Sequence, residues 1–254
     1  MDPYERRVSN AEPHTPGVGR PSPIHRIVAV LEVVLCSDYP TQIAIGATFA
    51  ALGYGPFGQN GDLRLGYVVS LSLIDTALLI ALMVSFLLAH GERPRELFLG
   101  RRPPGQEAVL GVWPFTVVAL AIGIGLMATL QHYVPSLHTV KRNPLEALVR
   151  TPRDLWWFGL VLIIAGGVRE ELQRAFLLRR FEQWLGGAQV GLIVTSLAFG
   201  AGHVTQGRDA AIVIGGLGAF WGFVYLRRRS VVAPIVSHSC FNLLEIVQFL
   251  AIGT

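Results

Sequence analysis

The chain has 254 residues, of which 52% are hydrophobic and only 15% charged, against about 25% charged in an ordinary soluble domain. That balance excludes a water-soluble globular domain and selects a polytopic membrane protein. The formal net charge of +4 sits in loops, so it bears on orientation in a bilayer, and no nucleic-acid partner is expected.

Residues 1–26 are polar and carry Pro13, Pro16, Pro21 and Pro23. They lack the short apolar core of a secretory signal, and a disordered cytoplasmic tail is expected there. A bilayer core takes roughly 20 apolar residues per helix. Stretches near 27–54, 66–89, 109–130, 154–178, 189–205, 210–226 and 231–252 read as spans. The expected fold class is all-α, a polytopic membrane helical bundle of about seven to eight transmembrane helices in one domain over 27–254. The first stretch is broken at Ser37-Asp38-Tyr39-Pro40-Thr41-Gln42, which reads as one kinked crossing or as a hairpin that does not cross.

With one crossing there, the tail shares a side with the loops near 90–108, 179–188 and 227–230. That side holds Arg6, Arg7, Arg20, Arg26, Arg93, Arg95, Arg101, Arg102, Arg179, Arg180 and Arg227 to Arg229. The other side keeps Arg64, Lys141, Arg142, Arg150, Arg153 and Arg208. The positive-inside rule then places the N-terminus in the cytoplasm. Lys141 is the one lysine among many arginines, a composition of GC-rich bacterial genomes, so a bacterial cytoplasmic membrane is expected. Cys36 and Cys240 fall in apolar segments and offer neither a disulfide framework nor metal-ligand spacing. Gly218-x-x-x-Gly222, beside Gly215 and Gly216, suits close helix packing. No internal repeat supports an inverted-repeat transporter.

The most informative stretch is Gly166-Gly167-Val168-Arg169-Glu170-Glu171-Leu172-Gln173-Arg174, at the end of an apolar run. One ionised group at a helix centre costs roughly 2.5–3.5 kcal/mol on insertion scales, so such a cluster marks a functional site by default. Glu170 is four residues and Glu171 three residues before Arg174, so either carboxylate can face that guanidinium and serve as a general base for water. Phe199 and His203 are four apart, as are His238 and Asn242. Each pair shares a helix face, and an imidazole beside an amide can meet a developing oxyanion. A base, two imidazoles and an amide donor on helices of one membrane protein fit hydrolysis better than scaffolding.

Glu170-Glu171 with Arg174, then Phe199-x-x-x-His203, then His238-x-x-x-Asn242, resembles the EExxxR, FxxxH and HxxxN motifs of the CPBP family. These are intramembrane proteases that include the type II CAAX prenyl endopeptidases. The resemblance spans about 150–252, taken as the protease-like core. It implies an endopeptidase acting on membrane-associated proteins or peptides. A glutamate and His203 would activate water, His238 and Asn242 would stabilise the oxyanion, and Arg174 would orient a glutamate. No cofactor is implied.

One departure concerns spacing. The family has three residues between the glutamate pair and the arginine, and this chain has only Leu172 and Gln173. Aligned on Arg174, Arg169 takes the place of the first glutamate. Glu170 is the favoured base because it shares a helix face with Arg174, and Glu171 is a close second. Straight helices would also set His203 on the order of 10 Å from the depth of Glu170 and His238, with Gly186-Gly187 as the break that could shift it. Two alternatives stand: zinc on His203, His238 and a glutamate, without the His-Glu-x-x-His spacing, and a non-catalytic scaffold or immunity-type protein. Substrate identity and oligomeric state are not encoded legibly.

Overall fold

A computed structural model describes residues 22–140, 143 and 145–252; it is helical throughout its apolar stretches, with no β-strand among the described residues. Most of the expected tail, with Arg6, Arg7 and Arg20, lies outside the described residues, as do Lys141 and Arg142. The first helix, α1 (Pro23–Leu35), begins four residues before the expected 27. Ser22 caps it, accepting the His25 backbone N–H at 3.4 Å, and Pro23 occupies a first-turn position where no N–H is needed.

Helix α2 (Tyr39–Ala51) meets α1 at 45°. The His25 ring stacks on Trp184 at one end of the bundle (4.8 Å), and Phe49 packs edge-on against Tyr67 at the other (5.4 Å). The broken pair thus contacts both ends of the bundle, and its bend has the form of a broken span or a re-entrant loop. Next come α3 (Leu65–Ala89), the short α4 (Pro94–Phe98), and α5 (Pro104–Leu110). A widened π-turn, Gly111–Phe115, leads from α5 into α6 (Thr116–Tyr133), making one helix of 30 residues. Pro114 lies inside that turn, where its missing N–H and ring are absorbed by the altered hydrogen bonding.

Helix α7 (Pro152–Val161) starts with a capping box between Thr151 and Asp154. A second π-helical stretch, Leu162–Arg169, joins it to α8 (Glu170–Trp184). Gly186 and Gly187, at φ 102° and 97°, make the turn into α9 (Ala188–Gly202), a backbone region that favours glycine. Then follow α10 (Arg208–Arg228) and α11 (Val232–Ile252).

Among the described residues four helices are long and apolar enough to cross a membrane, or five if α1 and α2 form one bent span. The higher expected number counted 154–178 and 189–205. The first contains Asp154, Arg169, Glu170, Glu171 and Arg174. The second is a helix of only 15 residues, about 22 Å long, short of a ~30 Å hydrocarbon core.

One apolar cluster joins Leu79, Met83 and Leu87 of α3 to Ala175, Phe176 and Leu178 of α8. Another joins Ala119 of α6, Leu217 and Trp221 of α10, and Phe241 of α11. Trp156, Ile193 and Leu197 stay exposed on the perimeter, as lipid contact requires.

The loops grouped by charge do gather at one end. Arg228 grips Glu107 with two bonds (2.7 and 2.6 Å), Arg229 grips Glu182 (2.8 and 2.6 Å), and Arg179 and Arg180 both meet Glu92. Glu107 is almost fully buried. Arg228→Ala strands that carboxylate and should lower stability by about 3 kcal/mol, read as an earlier unfolding midpoint in detergent, with Arg228→Lys losing less. The hydrogen bond from Arg229 holds the Glu182 carboxyl below its usual range. A depressed carboxyl contributes stability above its unfolded value near ~4.3, which disappears as pH falls through the lower folded value. Glu182→Gln should therefore flatten the acid limb of the stability curve below about pH 4.3.

Candidate active site

The first turn of α8 and the second turn of α11 face each other in the interior. Glu171 uses both carboxylate oxygens there: Oε2 accepts Arg174 Nε (3.1 Å), and Oε1 accepts Arg174 Nη2 (3.2 Å). Oε1 also lies 2.9 Å from His238 Nδ1. All three side chains are nearly sealed from solvent. A carboxylate can only accept, so His238 Nδ1 carries a proton, and in the neutral ring Nε2 then presents a lone pair.

The other face of that imidazole looks toward Glu170, whose Oε2 is 3.9 Å from His238 Nε2. Glu170 Oε1 accepts Arg169 Nη2 at 3.4 Å, and Oε2 has no hydrogen bond among the described residues. The expectation that Arg174 shares its face with Glu170 is not what forms. Arg174 takes Glu171, the i,i+3 partner, because Glu170 is held by Arg169. The short spacing of Glu171-Leu172-Gln173-Arg174 thus still yields a two-bond pair.

His238 is fixed on its flat side by Trp221, with ring centroids 3.8 Å apart and planes 15° from parallel. Trp221 Nε1 in turn donates to Ser237 Oγ at 3.1 Å. Phe199 brings in α9: its ring lies 4.6 Å under the Arg174 guanidinium, 4.8 Å from His203 and 6.3 Å from His238. Gly218 makes room for it, since a Cβ there would lie 2.8 Å from Phe199 Cδ1; at Gly222 a Cβ would lie 2.5 Å from Leu192 Cδ1. The Gly218-x-x-x-Gly222 pair is thus helix packing, and it frames the site.

His203 makes its one side-chain hydrogen bond within its own helix turn, among the described residues. It ends α9 one turn beyond Phe199, its Nδ1 is 2.8 Å from the Phe199 carbonyl, and it bonds neither glutamate. Among the described residues no three His, Cys, Asp or Glu side chains are arranged to hold a metal ion.

Asn242, one turn after His238, donates from Nδ2 to the Leu162 carbonyl at 3.4 Å. Leu162 opens the π-helical stretch, and glycines of that stretch let α11 approach. A Cβ on Gly166 would stand 2.7 Å from Asn242 Nδ2, and one on Gly167 only 2.0 Å from Ser239 Oγ.

Sequence reading missed Trp221, Asp75 and the working partner of Arg169. Trp221 gave no signal within its own segment. Asp75 did: it is the lone acid of α3, 1% exposed. Glu245, seven residues past His238 on the same face of α11, also went unnoticed. It is exposed and has no hydrogen bond or ion pair among the described residues. A cavity of about 500 Å³ lies elsewhere, between the Gly58–Leu65 loop and Leu148, Arg150 and Asp154.

A helical membrane bundle that buries a carboxylate–imidazole–guanidinium cluster beside a second carboxylate has the make-up of a hydrolytic intramembrane site. Residues 152–244 match the family of Type II CAAX prenyl endopeptidase Rce1-like proteins. Over that segment the family match agrees with the CPBP resemblance drawn from the three motifs, and the protein is an integral membrane protein. No curated protein and no solved structure matches the chain.

Gly167→Ala should force α11 away from the π-helical stretch, at a cost of about 1–3 kcal/mol. Adding Ser239→Ala removes the closest contact and should recover part of that loss, measured as paired unfolding midpoints.

Proposed function

We propose that the protein is an intramembrane endopeptidase that hydrolyses peptide bonds of membrane-associated proteins or peptides, with Glu170 as its general base. What supports this most is the difference between the two glutamates. Glu171 has both oxygens committed, whereas Glu170 keeps Oε2 open, 3.9 Å from the lone pair of His238 Nε2. One water can donate to both acceptors across that gap at ordinary hydrogen-bond distances.

Attack on a scissile carbonyl then follows with the protons accounted for. The water oxygen bonds to carbon while its proton passes to Glu170. The oxyanion is met by Asn242 Nδ2–H, which gives up its long bond to Leu162. Collapse breaks the carbon–nitrogen bond, and Glu170 returns the proton to the leaving amine.

His238 and Glu171 hold the water rather than take its proton, as an imidazole oriented by a buried carboxylate can. With the Nδ1 proton committed to Glu171, His238 donates to the oxyanion only if Nε2 first gains a proton. Arg174 orients Glu171, and Phe199 supports Arg174. His203, against the same Phe199 ring, is the second imidazole whose part in the reaction the variants below decide. The basic loops gathered at the end where α1 begins support a cytoplasmic N-terminus in a bacterial cytoplasmic membrane.

The test uses purified protein in detergent and a mixed quenched-peptide library, with and without a strong chelator. Glu170→Gln and His238→Ala should lower kcat/KM by about 10²–10⁴, and Asn242→Ala by about 10²–10³. Chelator should leave cleavage intact; loss with chelator and recovery with zinc would replace this mechanism with the metal-dependent one. His203→Ala decides the second imidazole. A loss as large as that of Glu170→Gln puts it on the water, and a loss under about tenfold leaves it to substrate contact. Full cleavage by a Glu170→Ala/Glu171→Ala variant would overturn the glutamate mechanism, and no cleavage by wild type or any variant would favour the non-catalytic scaffold.

A further inference from the structure

We infer that Arg169, gripped by Asp38 at the α1–α2 break and by Asp75 of α3, is a positioning residue for Glu170, so that the N-terminal helices are a working part of the active site. The inference rests on Glu170 being the base. Its core is a guanidinium with its two ends in different hands. Nη1 lies 2.7 Å from Asp38 Oδ1 and 3.8 Å from Asp75 Oδ2, while Nη2 donates to Glu170 Oε1 at 3.4 Å. That bond is the one hydrogen bond Glu170 makes among the described residues. Arg169 is itself enclosed, with 8% of its side chain exposed.

The break that supplies Asp38 is built for this contact. Asp38 has φ 83°, a conformation that costs a non-glycine residue roughly 1–3 kcal/mol and persists only where surroundings enforce it. A second tie runs in parallel: Gln173 Nε2 donates to the Cys36 carbonyl at 2.7 Å, a group exposed by the break, and Gln173 Oε1 accepts Arg169 Nη1 at 3.4 Å. Asp75 sits in mid-α3 with no other charged residue in that helix, the kind of intramembrane acid that needs a partner.

A mere cross-brace would be complete with Arg169 and Asp38. The fork instead spans Asp38 and Glu170, using the planar geometry that arginine has and lysine lacks. Arg169 stands where alignment on Arg174 would put the first glutamate. Here that position serves the glutamate that follows.

Two readouts test this, the second independent of turnover. Arg169→Gln leaves Asp38, Asp75 and Glu170 without their guanidinium, so the charge-balanced Arg169→Gln/Asp38→Asn variant accompanies it, with Arg169→Lys as the conservative control. In a monodisperse variant, kcat should fall about 10–100-fold with KM within about threefold, and Arg169→Lys should recover part of the loss. In parallel, dicyclohexylcarbodiimide, which modifies protonated carboxyls in apolar surroundings, is applied to each protein and Glu170 labelling is followed by mass spectrometry. Labelling should be at least about tenfold faster once the guanidinium is gone.

Unchanged kcat, or unchanged Glu170 labelling in the balanced variant, overturns the inference. If wild type cleaves no peptide at all, the endopeptidase reading fails, and labelling alone decides whether Arg169 governs Glu170.

Discussion

Glu171 is enclosed in the bundle, and a bare carboxylate in such surroundings would cost several kcal/mol even after relaxation. It is held there by a two-bond arginine on its own helix and an imidazole from α11. That triple contact fixes more than itself. It commits the proton of His238 to Nδ1 and sets the plane of the ring against Trp221. It also draws Arg174 over Phe199, which brings α9 to the site. Three segments separated in sequence converge because each supplies one ligand to a buried charge, or to a group that shields it. The apolar clusters around them hold the helices together but would accept many registers; the buried pair accepts one.

Such a cluster needs space between helices, and glycine with irregular helix geometry provides it. The π-helical Leu162–Arg169 widens its turns where Gly166 and Gly167 meet Asn242 and Ser239 at distances no Cβ could share. π-bulges recur at functional sites, and this one ends at the residue before Glu170. It carries Arg169 at its end, and the bond from Arg169 to Glu170 leaves Glu171 as the partner of Arg174.

Much of this was legible in the chain. The all-helical membrane class follows from apolar stretches of span length, and the grouping of the 90–108, 179–188 and 227–230 loops followed from their arginines. Both Glu171 and His238 stood out as polar groups in apolar runs. What stayed hidden depends on rotation about helix axes and on depth. Glu170 and Glu171 are both within reach of Arg174 on an ideal helix, and only the competing grip of Arg169 decides between them. His203 packs on the Phe199 ring and bonds the Phe199 carbonyl, a local contact that its four-residue spacing made legible. Asp75 was visible as a lone acid in α3, but nothing local says that its partner is ninety-four residues away in another helix.

The division between the halves of the chain is therefore weaker chemically than it is in sequence. Residues 152–244 carry the recognisable motifs, and they contain every group placed on the water and the oxyanion. Yet Arg169 lies inside that segment with its counter-charges outside it, on α2's N-terminal boundary and in mid-α3. A guanidinium sealed from solvent would be as costly without Asp38 and Asp75 as Glu171 would be without Arg174. The first three helices thus bring to Arg169 the carboxylates that balance the guanidinium bonded to Glu170. The strained φ of Asp38 and the break in the first span fit that requirement, since a straight helix would carry the carboxylate past Arg169 instead of turning it in.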